Sequence, residues 1–529
     1  MEIPHASEGA VFARIKTLVA LQADFGWQTA TPLKRMSSFI YADRPLANPP
    51  RRKMIINRQQ PHNPSPKKRR ANKPSATQHR INLDTKPDSA GIDIGAEEIV
   101  VAIPPDRCPD NVRTFTSFTG DLARLRDWLL AHRITTVAME STSNYWVNCY
   151  DILEAAGIEC YLVNARHVKG VPGKKTDVCD AQWLQQLHAA GLLKKSFRPA
   201  QEILPLRYLT RHRDSLIREA ADHLRRMQKV LTEMNLKLHH VFSDIDGVSA
   251  QAIIKAILAG ERDPHTLAAL RNGRCQSSEK SILAALAGNY RPEYLFVLGQ
   301  LQSCWEDQQT KIAALDTEIQ TVIEKITPTP RPAKPPAASQ PAPKKRKQSG
   351  KNALPLDYPK QSQRIFETDL TLMDGIGPGV ITALMSEIGS REHLLDSFKS
   401  ADGFCAWLGL CPCNAISGGK VLRSATRKVK NRLSEALRLA AFGLDRSKTK
   451  LGEYCRRMKG RLGKAEGITA TAHKLARILY TLIATGTSYD ESQAFPVKPA
   501  TQQKQLRQLQ ALAKKLGLQV ISNPVVTAS

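Results

Sequence analysis

Four carboxylates and one serine are the residues of this 529-residue chain whose settings suit them to chemistry. Asp93 stands in Gly91-Ile92-Asp93-Ile94-Gly95, a strand-like run whose acid is followed by a residue small enough for a substrate backbone to approach. Glu140 ends Thr136-Val137-Ala138-Met139, so a parallel neighbouring strand would set its carboxylate beside that of Asp93. In Lys175-Thr176-Asp177-Val178-Cys179-Asp180-Ala181 two acids lie three residues apart at the start of an expected helix, a spacing that aims both at one face. Carboxylates gathered in this way repel one another unless cations neutralise them, and hard oxygen ligands suit Mg2+ or Mn2+. Two such ions would clamp a scissile phosphate and stabilise the entering and leaving oxygens of an in-line displacement. Asp177 and Asp180, taken alone, also read as helix-start acids that complement the dipole. The serine is Ser417, in Ile416-Ser417-Gly418-Gly419-Lys420, with Arg423, Arg427, Lys428, Lys430 and Arg432 following. A hydroxyl among cations can attack phosphorus while the developing charge is stabilised, although Ser-Gly-Gly is also a common structural loop.

The elements that must position these groups follow from the pattern of apolar residues. Ile92 and Ile94, then Ile99 to Ile103, read as a buried strand pair or one long bent strand, and Thr114 to Phe118 continues the strand pattern after the turn at Pro109-Asp110-Asn111. Leu122, Leu125, Trp128 and Leu129 give helical spacing, and Thr136 to Glu140 and Glu159 to Val163 are two more short strands. Interleaved strands and helices over 88–200 indicate an α/β layer fold. From 206 to 326 the pattern is helical. Ile217, Ala220, Leu224, Met227, Leu231, Met234 and Leu238 form one heptad seam, and Leu298, Leu301, Trp305, Gln308, Ile312, Leu315, Ile319, Val322 and Ile326 form another. The two seams would pair either within one chain or between two. Residues 365–490 are again helical, an all-α domain by pattern. In it Gly375-Ile376-Gly377-Pro378-Gly379 precedes an apolar helix and has the character of a helix-hairpin-helix turn whose amides face phosphate.

Two biased stretches flank these units. Residues 1–85 mix Pro, Gln, Asn and Ser with the basic run Pro66-Lys67-Lys68-Arg69-Arg70 and read as a disordered basic arm, an over-long translation start or an import signal. Residues 327–364, dense in Pro, Ala and Lys, read as a linker or insertion, and 491–529 as a partly helical tail. The net charge of +28 and a pI near 9.8 imply a polyanionic partner, bound through its backbone rather than by sequence. No apolar run reaches the length of a membrane span and no secretory signal layout is present, so a cytoplasmic, nucleoid-associated protein is expected. Ten scattered cysteines without zinc spacing are expected to be reduced and mostly in the core.

Gly91-Ile92-Asp93, Glu140 with Ser141-Thr142-Ser143-Asn144-Tyr145 after it, and Lys175-Thr176-Asp177-Val178-Cys179-Asp180-Ala181 together resemble the RuvC-like domain of DEDD transposases. These are the bacterial insertion-sequence recombinases related to the Piv DNA invertase. Asn164-Ala165-Arg166 is similar to that family's Asn-Pro turn without its proline. Residues 368–490 resemble the second, helical domain of the same family, in which the serine of a Pro-x-x-x-x-Ser-Gly motif is the nucleophile; here it maps to Ser417 after Pro412. The resemblance implies an RNase H-like fold with Asp93, Glu140, Asp177 and Asp180 as metal ligands. It also implies a transient phosphoserine link to DNA and a composite site, shared between protomers of a dimer or tetramer that the heptad helices assemble. A structured guide RNA that pairs with target and donor DNA is implied as a partner. Gly375, Gly377, Gly379, Lys420, Arg423, Arg427 and Lys428 are the expected nucleic-acid contacts. The basic arm and the insertion exceed the compact family pattern, and Arg427 to Asn431 lacks its usual glycine. Two other functions fit the same residues: a junction nuclease that uses metal-activated water, and a non-catalytic nucleic-acid-binding remnant of a mobile element.

Overall fold

The computed structural model describes residues 85–141, 143–164, 177–326, 352–496 and 499–517, all within one compact unit spanning 82–529. The basic arm up to residue 84, Ala165, Arg166, Lys175, Thr176 and the Pro/Lys-rich stretch 327–351 lie outside the described residues.

Strands β1 (Ser89–Ile94), β2 (Glu98–Ala102) and β3 (Val112–Thr116) form an antiparallel meander, so the first apolar run is a strand pair. Helix α1 (Thr119–Ala131) then crosses to β4 (Thr136–Glu140), which runs parallel to β1, and α2 (Trp146–Ala155) crosses to β5 (Glu159–Val163), parallel to β4. The sheet order β3-β2-β1-β4-β5 is the mixed sheet expected of an RNase H-like domain. Period-two alternation divides it into two faces. Ile92, Ile94, Ile99, Val101, Val137 and Met139 pack against Leu122, Leu125 and Leu129 of α1 and Tyr150 and Leu153 of α2. The opposite face carries small residues, Gly91, Ala102 and Ala138, and on it lies α3 (Asp177–Ala189) through Ala181 and Leu184.

Two long helices, α4 (Leu204–Glu233) and α9 (Pro292–Lys325), run antiparallel against each other within the one chain. Their direction follows from the cores they share. Ile203 and Leu206 join Ile319, Ile323 and Ile326 in the C-terminal core, whereas Met227 and Leu231 join Leu298 in a second core at the far end. That far end is capped by α5 (Leu238–Val241), α6 (Val248–Leu258), α7 (Pro264–Ala269) and α8 (Glu279–Leu286). In the expected seams Ala220, Met227, Leu231, Met234, Leu238, Leu298, Ile319 and Ile326 are buried, but Leu224, Leu301, Trp305, Ile312 and Leu315 are only half-buried. Two helices alone cover one side of each other, so full burial appears only where a third element joins. An ion pair between Arg213 and Asp316 and a hydrogen bond from Gln308 to Glu219 at 3.2 Å tie the helices across the seam.

The C-terminal domain packs α10 (Tyr358–Phe366), α11 (Pro378–Glu387), α12 (Arg391–Ser397), α13 (Ala401–Trp407), α14 (Arg432–Gly443), α15 (Lys450–Leu462) and α16 (Lys464–Thr485) around Ile381, Leu384, Phe404, Leu437, Leu475 and Leu479. Helix α10 begins inside the stretch read as linker. The domain is not all-α, as the apolar pattern suggested: β6 (Pro412–Ser417) and β7 (Lys420–Thr426) form an antiparallel hairpin between α13 and α14. All of β6 is exposed and β7 nearly so, so the hairpin has no buried face to impress an alternating pattern on its residues. A helix at Glu491–Ala494 and another at Pro499–Lys515 follow. None of the ten cysteines forms a disulfide, but only Cys149, Cys160, Cys405 and Cys455 are buried, which corrects the expectation that most lie in the core. Among the described residues no helix is long and apolar enough to cross a membrane.

Candidate active site

Because β1 and β4 are parallel neighbours with Ile92 opposite Met139, Asp93 and Glu140 follow at the next position of the two strands. Both occupy the α3 face, the face of Gly91 and Ala138. Asp177 and Asp180 form the first turn of α3, the helix that lies on that face. What lets α3 approach is Gly91: a Cβ there would sit 2.2 Å from the Ala181 carbonyl oxygen and 2.3 Å from the Gln185 backbone nitrogen. Gly91 therefore serves helix packing. Gly95 closes the β1–β2 turn, where a Cβ would come within 2.9 Å of the Glu98 carbonyl. The small residues flanking Asp93 thus have structural duties that account for them without a substrate.

The electrostatics of Asp93 record the convergence of the four acids. Its carboxyl is pushed up to about 6, first by burial and then by the negative fields of Asp177, Asp180 and Glu140, against a backbone amide at Ile94 that favours the charged form. Asp177, Asp180 and Glu140 thus all act on Asp93 through space, although Asp177 lies 84 positions after Asp93 in the sequence. Among the described residues, however, no three acidic, histidine or cysteine side chains stand close enough to grip one ion. The donor set fits a hard divalent cation in chemistry and in charge, and the side chains would have to draw inward to bind one.

His188, at the other end of α3, plays a different part. It is buried, bonded to Thr136 Oγ1 at 2.9 Å, and held down to about 4 by burial and by Lys86, so it stays neutral as a packing group.

Ser417 is placed elsewhere, at the tip of the β6–β7 hairpin. It pairs with Lys420 across Gly418 and Gly419, whose φ values of +54° and +75° make the two-residue turn that suits the twist of paired strands. Ser417 is exposed, as are Lys420, Arg423, Arg427 and Lys428, and Arg427 donates to the Ala406 carbonyl. The leading influences on Asp93 are burial and the other three acids, not this hairpin. Sequence reasoning read the Ser-Gly-Gly loop but missed the strands around it.

Residues 90–236, which span the sheet, α3 and α4, match a transposase family, and residues 368–456, which span α11, the hairpin, α14 and part of α15, match the IS116/IS110/IS902 transposase family. The chain belongs to the IS110 family of insertion-sequence transposases. The matches fall on the two regions that hold the acids and the serine, in the same order. No curated protein matches the transposase significantly.

Gly375, Gly377 and Gly379 line a cleft of about 770 Å³ between α4, α11 and α14, together with Arg213, Arg218 and Arg432. Gly377 caps α11 without a side chain and Pro378 occupies the first helical position. A Cβ at Gly377 or Gly379 would meet nothing, so packing does not demand glycine there, whereas Gly375, at φ +84°, needs it for its backbone. The basic residues extend further than the sequence reading took them. Residues 412–464 carry fifteen Lys and Arg against three Asp and Glu, including exposed Arg457, Arg461 and Lys464 at the α15–α16 turn. A charge count by segment would have found them.

Proposed function

We propose that the transposase cuts and rejoins DNA with an acid-bound divalent metal site and Ser417 as nucleophile. The observation that carries this reading is the placing of Asp93 and Glu140 at the ends of neighbouring parallel strands with Asp177 and Asp180 on the helix above them, so that the Asp93 carboxyl, raised first by burial, is raised further by the three negative charges that a cation would offset. Asp93, Glu140, Asp177 and Asp180 would hold two Mg2+ or Mn2+ ions, whose chemistry there is charge stabilisation at the reacting phosphate. In the cutting step Ser417 Oγ releases its proton to solvent and forms a bond to phosphorus while the bond from phosphorus to the leaving sugar oxygen breaks and that oxygen takes a proton from solvent to leave as a hydroxyl. The cations Lys420 and Arg423 on the same hairpin offset the charge that develops. Rejoining is the reverse, with another strand's hydroxyl displacing Ser417, so the phosphoester energy is retained and no nucleotide cofactor is needed.

The hairpin's exposure supports a composite site. Ile416, Val421 and Leu422 are 62%, 57% and 70% exposed, an apolar surface suited to being covered by the acid-bearing edge of a partner protomer. Sequence choice, in this reading, is delegated to base pairing with a structured RNA held by the basic residues of 412–464, while protein contacts read backbone and shape.

Labelled DNA incubated with the transposase in Mn2+ should yield a covalent adduct that Ser417→Ala abolishes, and Asp93→Asn should bind DNA without cutting it. Mixing the two inactive variants should restore strand cleavage in part, because each supplies what the other lacks. Cleavage by wild-type protein with no adduct at all would transfer the attack to water and sink the serine assignment.

A further inference from the structure

Between the two ends of the α4–α9 stalk its apolar seam is left partly uncovered. From 303 to 318 no residue of α9 is buried, although Leu298 and Gln302 before that stretch and Ile319 and Ile323 after it are. Trp305, Ile312 and Leu315 fall within it and continue, with Leu301, a stripe that is only half-buried, as is Leu224 of α4. At 1.5 Å per residue the stretch is about 24 Å long. It is also acidic in balance, since α9 carries six Asp and Glu, exposed Asp307 and Glu318 among them, against Lys311 and Lys325. The C-terminal helix Pro499–Lys515 has the opposite character. Leu506, Leu509, Leu512 and, just past its end, Leu516 follow at three- and four-residue steps and are 51%, 54%, 58% and 65% exposed. Residues 499–517 hold four Lys and Arg and no Asp or Glu, and Arg507, Lys514 and Lys515 are exposed. With 17 residues the helix is about 25 Å long. A helix of that length is marginal in water by itself and is stabilised chiefly by packing its apolar face. Phe495, just before it, is packed on the C-terminal core beside Tyr454 and Lys474. Both α9 and this helix lie outside the two regions that match the family.

We infer that the C-terminal helix of one copy docks along α9 of a second copy, as the third helix of that copy's stalk. Length, spacing and charge all agree. The leucines cover Trp305, Ile312 and Leu315, and the cations beside them meet the acids at the rim of the stripe. In the single chain the stalk stripe is half bare and the leucines are exposed, so the covering comes from another copy. An exchange between two copies makes the contact twice under two-fold symmetry. Two C-terminal helices paired with each other would instead set cations against cations over fewer than two heptads. Neither the acids at the β1 edge nor Ser417 takes part in this contact, so it stands apart from the proposed chemistry.

Full-length transposase grown in light and in heavy-nitrogen medium, mixed and treated with a carbodiimide that joins amines to touching carboxylates, tests this. Peptides linking Lys514 or Lys515 to the acids of α9 should appear with one light and one heavy half. Leu509→Asp with Leu512→Asp should remove those peptides and weaken self-association about tenfold or more in analytical ultracentrifugation. The melting temperature of that variant should be unchanged, because both leucines are exposed. Lys514→Glu with Lys515→Glu should weaken self-association likewise, and adding Asp307→Lys and Glu318→Lys to the same chain should restore it. Absence of mixed-label peptides overturns the inference, and links found only within one label would place the helix on its own stalk. A leucine variant that assembles as wild type also overturns it, and if that variant binds DNA less tightly, the helix face belongs to nucleic acid.

Discussion

At the scale of single residues, Asp93 links structure to condition. Its carboxyl titrates at about 6 in the fold and near 3.8 in an unfolded chain, so the native state binds the proton more tightly. A raised carboxyl contributes stability that is fully present below the unfolded value and lost as the pH rises through the folded one. Metal-free transposase should therefore lose stability between roughly pH 4 and 6 relative to Asp93→Asn, by on the order of 1 kcal/mol once solvent screening of a half-buried group is allowed for. Mn2+ should return the difference at pH 7, where the ionised cluster can bind it. Thermal melts of both proteins at pH 4.5 and 7, in EDTA and in Mn2+, measure this. Parallel curves for the two proteins would show that Asp93 is not crowded by its neighbours.

At the scale of elements, the acid edge depends on how closely α3 lies against β1. Gly91→Ala would drive a methyl into the Ala181 carbonyl and the Gln185 amide, atoms of a helix backbone that cannot rotate away. The helix must shift instead, at a cost of about 1–3 kcal/mol, and it carries Asp177 and Asp180 with it. The expected variant is folded, a few degrees less stable, and unable to cut. A fully active Gly91→Ala would mean that the placement of α3 does not set the acid geometry. The same packing explains what was legible in the sequence. Strands β1, β2, β4 and β5 each bury at least one face, so their apolar runs announced them, and Glu140 and Asp177 could be placed at an edge because strand ends and helix starts leave marks. The β6–β7 hairpin left no such mark, because neither of its faces meets a core. Only Gly418-Gly419 hinted at it, and a glycine pair between two polar, basic runs also reads as a plain loop. The heptad stripes promised helices but not their partner. Whether α4 pairs with α9 of its own or another chain is decided by the connection through α5–α8, which no periodicity encodes.

On the scale of the whole molecule, charge is unevenly spread in a way that the total of +28 conceals. Within the C-terminal domain, residues 352–411 carry four Lys and Arg against eight Asp and Glu, while 412–464 carry fifteen against three. A polyanion bound by bulk charge alone would be indifferent to which cations are removed; one that runs from the hairpin tip along α14 and α15 would not. Each phosphate deprived of its cation should flatten the dependence of log affinity on log salt by about 0.9. Arg461→Ala with Lys464→Ala, at the far end of that track, should therefore lower the slope for duplex DNA by up to about 1.8 and weaken binding uniformly across sequences. Lys399→Ala, an exposed cation in the acidic segment, should leave the slope unchanged. Fluorescence anisotropy over a salt series distinguishes the two. If the double variant keeps the wild-type slope, the nucleic acid does not cross the α15–α16 turn, and the path from Ser417 must leave the domain by another side.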